Sequence, residues 1–75
     1  MTTEEAIVFA KEKWPETRYP ESGTVEEGWA KDWAGIKAVG KRTFDLETGE
    51  VVHFFTLGFG KTFEEAFAKA DGREG

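Results

Sequence analysis

Few of the 75 residues could carry out covalent chemistry. The chain has no cysteine, one histidine (His53) and one serine (Ser22). Nucleophilic catalysis needs Ser, Cys or Thr beside an oriented base. Here Ser22 stands in a Pro- and Gly-containing stretch, and the only imidazole falls on an alternating apolar run. The paired carboxylates Glu4/Glu5, Glu26/Glu27 and Glu64/Glu65 are sequence neighbours, so on a helix they diverge by about 100° and cannot share a proton. They read instead as first-turn acids that suit the positive end of a helix dipole. Without Cys there is no thiolate zinc site, a single His makes no imidazole cluster, and the acids do not follow an EF-hand spacing. No catalytic, metal-ligating or cofactor-binding residue is expected, and the chain reads as a non-enzyme.

One stretch looks like an anion cradle. Gly58-Phe59-Gly60-Lys61-Thr62 leads from an apolar run into a helical pattern, where glycine amides could approach a phosphate and Lys61 could add charge. The glycines are one residue apart, however, and the G-x-x-x-x-G-K-[ST] spacing is missing. A tight strand-to-helix connection with Thr62 as N-cap is the better reading.

Binding residues are more plentiful. Seven Phe, three Trp and one Tyr make up 15% of the chain, too many for a disordered tail. The net charge of −5 is unevenly spread: residues 1–28 carry seven acids and three bases, 29–44 one acid and four bases, and 45–75 seven acids and three bases. The basic middle is also the Trp-rich part. Trp29, Trp33, Lys37, Lys41 and Phe54 are the expected contact residues, with Tyr19 as a further anchor, because aromatic side chains dominate interface energetics. A protein partner is the first expectation. A single-stranded nucleic acid is the alternative, since bases interleaved with aromatics supply backbone attraction and stacking, although the overall negative charge opposes it.

The elements that must position these residues follow from periodicity. Thr2 and Glu5 form a capping-box pattern, and Ala6, Ile7, Phe9, Ala10 and Trp14 recur at spacings of three and four, which predicts a helix over 3–13 ended by Pro15. Residues 15–24 read as a loop. In 24–33, Thr24/Glu27 repeat the capping pattern and Val25, Trp29 and Trp33 recur every four residues. This favours a short helical turn or irregular segment slightly over a strand, despite the cost of Gly28 in a helix. Two apolar runs flank FDLETGE, a tight hairpin connection closed by Gly49, with Thr43 and Phe44 paired across from Val51 and Val52. Strand alternation then assigns Ile36, Ala38, Phe44, Val51, Phe55, Leu57 and Phe59 to a core face, with Arg42 and a partly buried His53. Lys37, Val39, Lys41, Thr43, Val52, Phe54 and Thr56 fall on the other. A last helix begins after Thr62 and stops near Asp71-Gly72, leaving 72–75 as a frayed tail.

Together these elements predict one small two-layer α+β domain over 1–75: an N-terminal helix, a β-hairpin or three-stranded antiparallel sheet, and a C-terminal helix. No run approaches the roughly 20 apolar residues of a membrane span, and the first 13 residues lack the basic and apolar regions of a signal peptide. The expectation is a cytoplasmic monomer or homodimer.

The stretch RTFDLETGEVVHFF, continued through GFGKTFEEAFAKA, resembles the hairpin-plus-helix ending of many small phage and prophage proteins. Some of these are inhibitors of host machinery, including anti-CRISPR proteins, which are commonly small, acidic and non-enzymatic. The resemblance spans 42–70 and implies an inhibitor acting by stoichiometric contact, for instance on a CRISPR-Cas complex. It carries no functional residue across.

Overall fold

A computed structural model describes residues 1–19 and 24–74. The first helix, α1 (Thr3–Lys13), starts from the capping box that the sequence spells: the Glu5 amide donates to Thr2 Oγ1 at 3.2 Å, and the Thr2 amide donates to the Glu5 carboxylate at 3.0 Å. After Pro15 come four strands, β1 (Thr17–Tyr19), β2 (Thr24–Trp33), β3 (Ile36–Asp45) and β4 (Val51–Gly60), and then α2 (Phe63–Glu74). The strands form one antiparallel sheet in the order β1-β2-β3-β4, so each long strand pairs with its sequence neighbours. The α+β architecture is the expected one, extended by a three-residue edge strand inside the segment 15–24 that reads as loop. Residues 20–23 of that segment, including Ser22, lie outside the described residues, as does Gly75.

Both helices lie on one side of the sheet, and small residues let them come close. A Cβ on Gly28 would stand 1.9 Å from the Ala10 carbonyl oxygen, and one on Gly58 would stand 2.1 Å from that of Ala66. Each helix therefore rests its backbone directly over a strand glycine, α1 on β2 and α2 on β4. Ala6, Ala10, Ala66 and Ala70 line the contact with no exposure, around Val39, Ala30, Phe63 and Phe67. Phe67 joins the helices to each other: Phe9 meets its ring edge-on at 4.6 Å, and Trp14 stacks on it at 6.0 Å.

Three expectations are corrected. Segment 24–33 is a strand in full register with β3, from Thr24↔Asp45 to Trp33↔Ile36. Its residues Val25, Trp29 and Trp33 share a side because a spacing of four also returns to one face of a strand. Secondly, the helix-covered side of β3 holds Lys37, Val39 and Lys41, while Ile36, Ala38, Arg42 and Phe44 face away from the helices. The covered face of β3 follows from its pairing with β2, where Gly28↔Lys41 and Ala30↔Val39 stand under the helices, while register shifts at Thr43/Phe44 and Val39/Gly40 each add one residue on β4. Every such bulge inverts the parity of the pairing, so Leu57 turns to the helices and Phe59 away from them. Thirdly, α2 continues through Gly72 to Glu74, so the positions expected to fray, apart from Gly75, are helical. Gly72 does not adopt the positive φ that ends a helix there, and Lys13 of α1 forms an ion pair with Asp71 in that turn.

Candidate functional site: the open face of the sheet

Among the described residues, the side of the sheet away from the helices carries no covering element and exposes several large apolar side chains. It is framed by two hairpins. At the first, Ala34 and Gly35 have φ of 52° and 85°, the two positive values that a tight two-residue turn needs. That turn places Trp33 directly across from Ile36. At the second, Gly49 takes φ of 73°, and its amide donates to the Asp45 carbonyl at 2.7 Å. The Glu47 amide donates to the Asp45 carboxylate at 2.9 Å, so this connection closes through an Asx turn as well as through its backbone.

Between the hairpins lies a groove of about 410 Å³ floored by Trp29 and Ala38 and walled by Trp33, Ile36, Phe54 and Phe59, with Lys31 and Thr56 as its polar members. Trp29 is its fixed element. The indole Nε1–H donates to the Lys41 carbonyl at 2.8 Å, the Phe54 ring meets it edge-on at 5.6 Å, and it is 8% exposed. The walls differ: Trp33 is 68% exposed, Phe54 56%, Ile36 51% and Phe59 50%. Lys31 Nζ lies 5.4 Å from the centre of the Trp33 ring, a cation–π contact that keeps the ammonium at the rim.

Further along this face, Arg42 pairs with Glu27 and covers the Phe44 ring at 4.8 Å. Burial lowers the Arg42 pKa from its ordinary value, and the Glu27 carboxylate supplies the countercharge. The pair closes that end of the face, where Val25 is only 2% exposed.

The five expected contact residues are divided between the two sides. Trp29, Trp33 and Phe54 meet in the groove. Lys37 is on the helix side, bound to Asp32 and placed over the Phe63 ring at 5.5 Å. Lys41 is also on that side, beside Lys13, Trp14 and Glu26 in a small polar pocket. Among the described residues, the cation lining the groove is Lys31. Ile36 and Phe59 belong to the groove although alternation assigns them to the core. A signal for Phe59 is present in the sequence: β4 is apolar at even and odd positions, as expected of a strand covered on two faces. The side chain of Tyr19 lies outside the described residues.

His53, opposite Thr43, falls on the helix side by register but is exposed and lies 4.3 Å from the Phe55 ring, not partly buried as expected. The glycine stretch 58–62 is a strand-to-helix connection. The Lys61 amide donates to the Glu65 carboxylate at 3.2 Å, and the Glu65 amide donates to Thr62 Oγ1 at 3.1 Å, so the chain's own acid occupies the place of an anion. Among the described residues, no group of three or more His, Cys, Asp or Glu is placed to hold a metal ion. Among them also, no helix is long and apolar enough to cross a membrane. No protein-family model matches the chain, and neither a curated protein nor a solved structure matches it.

Proposed function

We propose that the protein is a non-enzymatic binding module that acts in the cytoplasm by stoichiometric contact with a protein surface, through the open face of its sheet. The observation that carries this reading is the groove itself: four large apolar side chains, each at least half exposed, surround an anchored tryptophan with one ammonium at the rim. Contiguous apolar patches of several hundred Å² mark interaction sites on proteins of this size. A buried aromatic floor with exposed aromatic walls has the composition of an interface centre. The resemblance of 42–70 to phage-encoded endings extends the proposal to an inhibitor of host machinery, such as a CRISPR-Cas complex, and that extension rests on the resemblance alone.

The test is a capture experiment from host lysate with three baits: the wild-type chain, the Trp33→Glu, Phe54→Lys double variant, and Lys61→Glu as a control outside the groove. A partner held by the first and third baits and lost by the second is the expected result. A partner held equally by all three would place the contact elsewhere.

A second reading has one observation in its favour. Trp33, exposed and flanked by Lys31, is a ready platform for stacking a base. Quenching of Trp33 fluorescence by single-stranded oligonucleotides, weakening steeply with salt, would support it.

A further inference from the structure

We infer that the open face is occupied by a second copy of the same chain, the two sheets packing face to face about a two-fold axis. This rests on the reading of the open face as a protein-binding surface and names the partner.

The first argument is area. Phe and Trp side chains present about 150–250 Å² each. At the exposures of Trp33, Ile36, Phe54 and Phe59, the face leaves on the order of 400 Å² of apolar side chain in water per copy. Two copies bring about 800 Å² together. Since interfaces are only about 56–58% apolar, this corresponds to a total near 1,400 Å², within the roughly 1,200–2,000 Å² of stable complexes.

Charge is the second. The chain has a net charge of −5, so two copies repel unless they meet where acids are scarce. The helix side presents Glu4, Glu5 and Glu12 around Val8 and Phe9, and Glu64 and Glu65 on α2. Among the described residues, no carboxylate lines the groove, and Glu27 beyond it is already paired with Arg42. Of the apolar surfaces among the described residues, this one can meet its own image without setting acid against acid.

Symmetry is the third. A two-fold axis along the strands lays β2 of one copy over β4 of the other, so Lys31 approaches Thr56 and Phe59 of the second copy and not another Lys31. Two sheets that pack in this way cross at about 30°, with their facing side chains interdigitated. The result is a closed dimer with the helices outermost.

The experiment is sedimentation velocity from micromolar to millimolar protein, with tryptophan emission read on the same samples. The wild-type chain is expected to move from its 8.4 kDa monomer to about twice that mass, with emission shifting to the blue as Trp33 leaves water. Trp33→Glu and Phe54→Lys should each raise the dissociation constant roughly 30-fold or more while far-UV circular dichroism stays unchanged. Ile36→Lys serves if either variant fails to fold, and the wild-type dilution series needs no variant. A monomer at every concentration with constant emission would overturn the inference, as would a dimer indifferent to all three substitutions. Species that grow beyond the dimer and are weakened by Val8→Asp would overturn it in favour of head-to-tail docking of α1. If the wild type stays monomeric yet captures a foreign protein that the groove variants lose, self-association falls while the docking surface stands.

Discussion

The two sides of one sheet use opposite residues. Under the helices lie Gly28, Ala30, Val39 and Gly58; on the open side stand Trp29, Trp33, Ile36, Phe54 and Phe59. Small residues let a helix backbone come down onto a strand, and its alanines bury their surface at short range. Large aromatics hold a neighbour off and offer it area. The covered side is thus specialised for an element of the same chain, while the open side leaves large apolar side chains exposed, as the proposed contact with another molecule requires.

That difference can be broken most sharply at the glycines. Gly28→Ala or Gly58→Ala should each cost about 3 kcal/mol or more, because the added methyl meets helix backbone that cannot move aside. For a domain whose total stability is on the order of 5 kcal/mol, a thermal midpoint lowered by about 12–24 °C or more is the expected result. Next comes a matched pair across β3. Val39→Ala, at a fully buried site, should cost about 2 kcal/mol by urea denaturation. Ile36→Ala, half exposed on the other side, should stay within about 0.5 kcal/mol in the dilute monomer.

Smaller effects test the supports of each side. Ala34 is the only non-glycine residue with positive φ among those described, in the turn that sets Trp33 against Ile36. Ala34→Asn should stabilise the chain by about 0.5–1 kcal/mol, seen as a raised urea midpoint. On the helix side, the hydrogen bond from the Thr2 amide holds the Glu5 carboxyl below its ordinary pKa. With the folded value below the unfolded one, its contribution is present above the unfolded pKa and fades as pH falls through the folded pKa. Acid titration of α1 by circular dichroism should show this slope in the wild type and lose it in Glu5→Gln.

Legibility in the sequence followed the local signals. A capping box located the start of α1, the Thr62 N-cap that of α2, and DLETG one hairpin, because caps and Asx turns are made within a few residues. The other hairpin was hidden by its turn, where Ala34 stands in place of the usual Asn or Asp. Its strand was hidden by Val25, Trp29 and Trp33, whose spacing suits a helix face and a strand face equally. Glu27, which completes a capping pattern on paper, is instead the partner of Arg42 across the strands. The identity of the covered face was beyond any alternation rule, since alternation sorts β3 into two sets without saying which the helices cover, and the bulge at Thr43/Phe44 changes which β4 residues join each set. Lys37 and Lys41 thus share a face with Val39 under the helices, while the bulge at Thr43/Phe44 turns Phe54 to the open side with Trp29 and Trp33.

The division into a structural side and a contact side is tested most directly by the melting temperature of the triple variant Trp33→Ser, Ile36→Thr, Phe54→Thr. It should be measured in dilute solution, so that association does not contribute to stability. If the open face is a contact surface, the variant keeps a cooperative transition within about 5 °C of the wild type, a shift of roughly 1 kcal/mol, and binds no partner. A broad, non-cooperative melt, or a chain already unfolded at room temperature, would show that these residues are core and would contradict that division.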